Sequence, residues 1–281
     1  MPLLPPRWEQ PRSFIDALEE LVANQGGLAA LSGEQVVGFL DGYRFERAGL
    51  SHLHIPEWGN VCSGPAARAV RELLYTEVAA RLVAEGVRSH FVSVLPSDRT
   101  AIETLHWLGF GIDTVDAMRS LESVPGGTRY TVVQAEPADA EGILVLEMGL
   151  REHLAASPQF FPVPVPPTVD EIRTTISDER TPTLLVRDGG GPVAYLRIGP
   201  ASEDASTIIR DEATASISRA FTRPDRRRSG IATTLLNSAL EWARRSGYVR
   251  CAVDFESANL LASRFWLRYF KIVGLTLRRR I

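Results

Sequence analysis

The sequence predicts an α/β chain of the α+β type, built as two tandem domains, each a mixed, mostly antiparallel sheet flanked by helices. Three observations predict it. The 281 residues exceed one small core and fit two domains of about 100–150 residues each. Short β-branched runs alternate with stretches of helical periodicity along the whole length. The order of elements also repeats. Gly86 and Gly247 stand 161 residues apart, and Leu105-His106-Trp107-Leu108-Gly109-Phe110 corresponds to Phe265-Trp266-Leu267-Arg268-Tyr269-Phe270 at 160. A near-constant offset is the mark of an internal repeat. The turn-rich run Ser123-Val124-Pro125-Gly126-Gly127-Thr128 divides the halves, giving domains 1–123 and 128–281.

In the second half, residues 130–135 read as a β-branched strand. Residues 137–155 read as a helix, with Ile143, Leu144, Leu146, Met148 and Leu150 near helical spacing. The Pro-rich run 158–167 cannot lie inside a helix and reads as a loop leading to a short helix over 169–177. Strands over 183–187 and 192–198 flank Asp188-Gly-Gly-Gly191 as a hairpin. Residues 212–222 form a strand and 230–246 an amphipathic helix closed by Gly247. A strand over 250–255, a helix over 258–269 and a strand over 271–279 complete the half. In the first half the periodicity predicts helices over 11–24, 65–85 and 97–108. It predicts strands over 27–31, 35–45, 50–55, 90–95 and 112–121. The initial strand of the repeat is missing or displaced.

Composition excludes several function classes. The net charge of −3 argues against a nucleic-acid binder that relies on bulk electrostatics. The basic residues are almost all Arg, with Lys271 the single Lys, a bias of GC-rich coding. Cys62 and Cys251 are far apart, so no disulfide framework is expected and a reducing cytoplasmic compartment is the default. His52 and His54 form the only close histidine pair. Without a neighbouring Cys or acid they are a structural or surface pair, and no metal site is expected. The N-terminus lacks the basic and apolar regions of a signal peptide, and no window approaches a membrane span.

The chemistry concentrates in the loop Arg227-Arg228-Ser229-Gly230-Ile231-Ala232. It follows a strand and opens a helix, where free backbone N–H groups and the positive end of the dipole favour an anion. Gly230 lets a bulky anion approach the backbone and Ala232 keeps the wall low. Arg227 and Arg228 add charge and Ser229 a hydroxyl. The assembly suits a pyrophosphate. Alone, R-x-x-G-x-A is equally a basic surface turn before an ordinary helix. The context adds a strand and then Asn259-x-x-Ala262-x-x-Phe265-Trp266.

Together these segments resemble the GNAT superfamily of N-acyltransferases. Its pyrophosphate loop reads Arg or Gln-x-x-Gly-x-Gly or Ala, and its later signature reads Asn-x-x-Ala-x-x-Phe-Tyr. The resemblance covers 128–281 well and 26–121 more loosely. It implies acetyl-CoA or another short acyl-CoA as co-substrate, and direct attack by the amine of a small molecule. It implies that the fourth and fifth strands of the domain splay to admit the acyl-pantetheine arm. Backbone groups of Ala220, Phe221 and Thr222 would pair with that arm and polarise the thioester carbonyl, a role in which one donor is worth about 10²–10³ in rate. The N–H groups from Arg228 to Ala232 would hold the pyrophosphate. Asn259 would reach the arm and Phe265 would pack beside it.

The catalytic acid is a departure. Where the family has Tyr as proton donor, this chain has Trp266, whose indole N–H is no practical acid. Tyr269, one turn on, is the substitute candidate, with packing at the helix end as its alternative. Ser216 and Ser218 stand where some relatives carry a base. Glu212, Asp254 and Glu256 are the acidic candidates near the cleft, each also readable as a solvated strand-end charge. The expectation is proton removal through a water chain. A carboxylate-to-amide change costing about 10³-fold in rate with coenzyme affinity intact would overturn it.

The first half differs. Its counterpart of the loop, Ser63-Gly64-Pro65-Ala66-Ala67-Arg68-Ala69-Val70-Arg71, lacks the pattern, and Pro65 supplies no N–H. One coenzyme per chain is therefore expected, in the second half. His106, which stands in the place of Trp266, reads as a surface or packing residue rather than an acid–base group. Two further readings stay open: a non-catalytic acyl-CoA sensor, and a protein-modifying acetyltransferase. The aromatic, Pro-rich run from Phe160 to Pro167 suggests a lid over a small, partly apolar acceptor and disfavours the latter. No nucleic-acid or membrane partner is expected, and the chain is a monomer or homodimer.

Overall fold

The computed structural model describes residues 3–23, 26–47, 49–126, 130–162, 165–201 and 206–281. Gly127 and Thr128 of the predicted boundary, Val163 and Pro164 of the Pro-rich run, and Asn24 at the end of the first predicted helix lie outside them. The chain is a mixed α/β fold. It divides into two compact units, a C-terminal one of Ala117–Lys271 and an N-terminal one of Leu4–Asp116 with Ile272–Ile281.

The N-terminal unit begins with two 3-10 turns and helix α1 (Ile15–Ala23). Strands β1 (Leu28–Ser32), β2 (Gln35–Leu40) and β5 (Asn60–Cys62) form a small antiparallel sheet. A second sheet holds β3 (Tyr43–Arg47), β4 (Leu50–Ile55), β6 (Ser89–Val94) and β13 (Lys271–Arg280). Helices α2 (Ala67–Ala84) and α3 (Arg99–Trp107) follow β5 and β6. The strand predicted over 35–45 is in fact two. The Asp41 carboxylate accepts from the Gly42 N–H at 2.8 Å. Gly42 lies so close to β4 that a Cβ there would sit 2.4 Å from the His54 carbonyl oxygen. The backbone turns at this point, and β2 and β3 join different sheets.

The last strand of the chain forms where expected and pairs within the N-terminal unit. Over Leu275–Arg280, β13 pairs antiparallel with β6, Leu277 opposite Val92. The compact units divide at Asp116/Ala117 and at Lys271/Ile272. Alternation in a strand records that one face is buried, and it is blind to which sheet does the burying.

One buried network of the N-terminal unit carries a prediction. His54 Nε2 lies 2.9 Å from Ser93 Oγ, which lies 2.9 Å from Thr276 Oγ1 on β13. Burial lowers the His54 pKa from 6.5 to about 4. The unfolded chain thus binds a proton between pH 6.5 and 4 that the folded chain refuses, so stability falls as pH falls through that window. Denaturant unfolding at stepped pH should show this slope, and His54→Gln should flatten it; parallel slopes would rule the effect out.

The C-terminal unit is built on one sheet. In order it holds the end of β7 (Gly111–Ser120), then β12 (Arg250–Glu256), β11 (Thr214–Thr222), β10 (Gly191–Pro200), β9 (Thr183–Asp188) and β8 (Val132–Gln134). Helices α4 (Ala140–Ala155) and α5 (Val169–Ile176) cover one face. Ile143, Leu146, Ile172 and Ile176 pack there against Leu185, Tyr195 and Phe221. Side chains of alternate sign, such as Leu184, Val186 and Leu196, are buried on the other face. Helix α6 (Ile231–Arg245) lies there, with Leu235, Leu236, Ala239 and Leu240 buried along its apolar stripe. Helix α7 (Leu260–Trp266) follows β12.

Candidate functional site

Strands β11 and β12 are parallel neighbours, which a helix crossover such as α6 makes possible. Their ladder runs only from Thr214↔Arg250 to Ile217↔Val253. Beyond it β11 continues to Thr222 and β12 to Glu256 without pairing. Next to this point β11 carries a bulge. Its register against β10 shifts from Arg197↔Arg219 to Ile198↔Ile217, leaving Ser218 unopposed. A bulge bends its strand and raises the local twist, which separates β11 from β12 where the ladder stops.

A cleft of about 630 Å³ opens in this region of the C-terminal unit. Its walls include Ala220, Phe221 and Thr222 from β11, Gly230, Ile231 and Ala232 from the start of α6, and Asn259 and Phe265 around α7. Arg227 and Arg228 also line it. Residues from three sequence segments, predicted to act together, thus lie around one space. Ser229 is the member of the loop outside the lining. Its hydroxyl donates to the Arg226 carbonyl at 2.6 Å and braces the loop from within.

The loop is shaped for an anion. Gly230 caps α6 in the left-handed region, φ 92°, and a Cβ added there would meet nothing within 4 Å. Arg228 also has positive φ, 62°, an uncommon state for a side chain of that size. Two left-handed residues, separated only by Ser229, turn the backbone sharply just ahead of the helix. The first N–H groups of α6 have no intrahelical acceptor. Among the described residues, no backbone carbonyl takes the N–H of Arg228, Ser229 or Gly230.

The arginines divide into two kinds. Arg227 is held: its Nε donates to the Thr222 carbonyl at 3.1 Å and its guanidinium lies over the Phe221 ring. Arg226 pairs with Asp188 at 2.6 Å. Arg228 has no ion pair among the described residues, and neither have two further wall residues, Arg264 and Arg268 on and just after α7. The sequence reading passed over these last two. Arg268 lies beyond the last residue of α7, so no helical spacing links the two in the sequence.

Asn259 is an N-cap. Its Oδ1 accepts from the Ala262 N–H at 3.1 Å and lies 3.3 Å from His153 Nε2, so the amide N–H₂ is the group left for a ligand. His153, on α4, also lines the cleft and was likewise passed over, because a lone His on a helix carries no spacing signal.

The four acid–base candidates are not brought together. Glu212 precedes β11, at the opposite end of that strand from Thr222, and the strand's direction alone places it away from the cleft. Glu256 ends β12 outside the lining. Tyr269 follows α7, its ring 5.4 Å from Phe265 and its hydroxyl 3.3 Å from Thr233 Oγ1, a cleft residue. Asp254 projects from β12 just past the last ladder pair. Its side chain keeps surface exposure. The protein crowded around it still pushes its carboxyl above the ordinary value, against the pull of its own N–H and of Arg219. Tyr195 lines the cleft too, but its hydroxyl donates to buried Glu147 at 2.7 Å. Burial, followed by the Glu147 charge, holds its pKa well above the usual phenol value, so Tyr195 is not a ready acid.

The N-terminal counterpart of the loop is built differently. Arg68 pairs with Glu72 at 2.9 Å and Glu103 at 3.6 Å. Arg71 is buried, bound to Asn60 at 3.0 Å and Asp98 at 3.2 Å. Its cations are spent on the protein itself. His106 is exposed, with Nδ1 3.0 Å from the Phe110 carbonyl. His52 packs between Phe45 and Phe91. Among the described residues no cluster of His, Cys, Asp or Glu could hold a metal ion, and no helix is long and apolar enough to cross a membrane.

Residues 150–271 match the model of the acetyltransferase (GNAT) family. No curated protein matches the chain. A GCN5-related N-acetyltransferase from Sphaerobacter thermophilus superposes with a TM-score of 0.56 at 14% identity, over 90% of this chain and 80% of that one. A GNAT-family acetyltransferase from Colwellia psychrerythraea gives 0.51 at 12% identity, over 91% and 85%. A GCN5-related N-acetyltransferase from Kribbella flavida gives 0.41 at 16% identity. It aligns with 96% of this chain, which spans only 63% of its length. At these identities the likeness is one of fold.

Proposed function

We propose that this chain, whose residues 150–271 form a domain of the GNAT family, moves an acetyl or other short acyl group from coenzyme A to the amine of a small molecule. The observation that carries the proposal is the cleft beside the point where the β11–β12 ladder stops, with the loop 227–232 on its wall. The free N–H groups and the cations Arg228, Arg264 and Arg268 suit a pyrophosphate and a further phosphate. The unpaired edge of β11 at Ala220–Thr222 offers main-chain donors and acceptors to an amide-bearing arm, as a strand edge does for an added strand. An acyl thioester bound there supplies an activated carbonyl.

The residues divide the remaining work. A backbone N–H of the 220–222 edge polarises the thioester carbonyl. Asp254, on the face that carries Arg219 and past the ladder's end, receives the proton of the incoming amine, directly or through water. Tyr269, coupled to the cleft through Thr233, supplies the proton to the departing thiolate. The N-terminal unit, with its loop arginines already paired, leaves one coenzyme per chain. Calorimetric titration giving two would contradict this.

Coenzyme release assayed with acetyl-CoA and a panel of amines tests the reading, since tight coenzyme binding without transfer to any amine points to a sensor instead. Asp254→Asn should lower kcat/KM about 100-fold and leave the Kd for coenzyme A unchanged. In the parent enzyme, kcat/KM should rise with pH through a carboxyl pKa above the ordinary range. That limb should vanish in the variant, and its persistence would remove Asp254 from the role and return proton removal to a water chain.

A further inference from the structure

Arg197 and Arg219 sit directly opposite one another on β10 and β11. Like charges in that position repel, and the arrangement is costly unless something offsets it. Strand alternation puts both on the face of Tyr195 and Phe221, the face covered by α4 and α5. The surrounding protein offers little in return. Arg197 Nε donates to Thr183 Oγ1 at 3.2 Å, while its Nη2 is buried with no hydrogen-bond partner. Arg219 is exposed, and its Nη1 reaches only the neighbouring Ser218 carbonyl, 3.0 Å away. Among the described residues neither is within ion-pair distance of a carboxylate. Glu147 accepts from the Tyr195 hydroxyl, and its charge favours the Arg197 cation from a distance without pairing with it. A buried donor without a partner calls for a reason, and a ligand is one.

The pair is also well placed. Arg219 immediately precedes Ala220, the first of the strand-edge residues on the cleft wall, and it borders the bulge at Ser218. Ser216 pairs with Ala252 in the parallel ladder, so Asp254, two residues on, faces the same side of the sheet. One face therefore carries two incompletely paired guanidiniums and one exposed carboxylate, outside the cleft lining itself but on the strands that flank its β11 wall.

We propose that Arg197 and Arg219 form a carboxylate subsite, and that the acceptor is an amine that carries a carboxylate, such as a free amino acid. This rests on the acyltransfer reading above and narrows its acceptor. The planar fork of a guanidinium matches a carboxylate in two parallel hydrogen bonds, and Asp254 faces the ammonium. In the transfer the amine nitrogen bonds to the acyl carbon as the C–S bond breaks. The ammonium gives up two protons: one ends on the coenzyme thiol, the other passes through Asp254 to solvent.

The test uses the full chain, acetyl-CoA and pairs of amines that differ only at the carboxylate, the L-amino acids against their carboxamides. Coenzyme binding is measured separately by calorimetry. Its absence would overturn the acyltransfer reading itself. With coenzyme bound, the best acid should exceed its amide at least tenfold in kcat/KM. Arg219→Gln should collapse that ratio to within twofold without changing Tm or the coenzyme Kd, and Arg219→Lys should restore part of it. Amides used as well as acids, a ratio unmoved in Arg219→Gln, or no amino acid turned over despite bound coenzyme would each overturn the subsite while leaving the coenzyme site standing.

Discussion

Gly230→Val is expected to weaken coenzyme A binding about 100-fold while the fold persists. Two effects add. The residue caps α6 at φ 92°, a left-handed state that costs a side chain about 1–2 kcal/mol and more for a β-branched one. Relaxing that strain reorients the N–H groups at the start of α6, which have no intrahelical acceptor. The new methyls also project into open space beside Arg228, where a phosphate would lie. Charge-assisted hydrogen bonds are worth about 1.5–3 kcal/mol each, so losing one or two gives the expected factor. Titration calorimetry reads the affinity and circular dichroism the fold. Gly230→Ala should lie between parent and Val. An affinity unchanged in both variants would mean that the coenzyme does not use this loop.

Removing Ile272–Ile281 is expected to unfold the N-terminal unit. The deletion takes away the strand that pairs with β6 along Ser89–Val94. Leu277 is fully buried, and so are His90 and Val92 on the facing strand. Burying a leucine-sized side chain contributes about 1.5–3 kcal/mol, and several are lost together with a ladder of backbone bonds. A domain's whole stability is about 5–15 kcal/mol. Hydrogen exchange should lose its protection in β4 and β6. A truncated chain with protection retained in β6 would show that β13 is dispensable there. The single change Leu277→Ala should cost about 2–5 kcal/mol.

The elements themselves were largely legible. Residues 183–188, 191–200 and 250–256 formed strands, and 140–155 and 231–245 helices, within a few residues of their periodicity limits. Each of these segments is long enough for one face to bury a regular stripe, and that is what periodicity records. Short or interrupted elements were not legible. Strand β5, three residues long, leaves no pattern. The break at Asp41-Gly42 depends on the approach of β4, which lies outside any local window. At the cleft, the loop 227–232 and the pair Asn259 and Phe265 could be read because they occupy fixed positions relative to helix starts. Arg264, Arg268 and His153 could not, since an exposed Arg or lone His looks the same on any solvated helix face.

The sequence by itself determined the alternation of strands and helices, the repeat, and a glycine-bearing turn before a helix in the second half whose counterpart in the first lacks that pattern. These follow from local backbone chemistry: a glycine free to take positive φ, a helix start with open N–H groups, a proline that has none. Only the tertiary structure decided that β13 completes the N-terminal unit, that the β11–β12 ladder stops at Ile217, that Glu212 lies at the far end of its strand, and that Arg197 faces Arg219. Each depends on which strand lies beside which and in what register. That is fixed by long-range packing, where a shift of one residue exchanges the two faces of a strand and leaves its sequence unchanged.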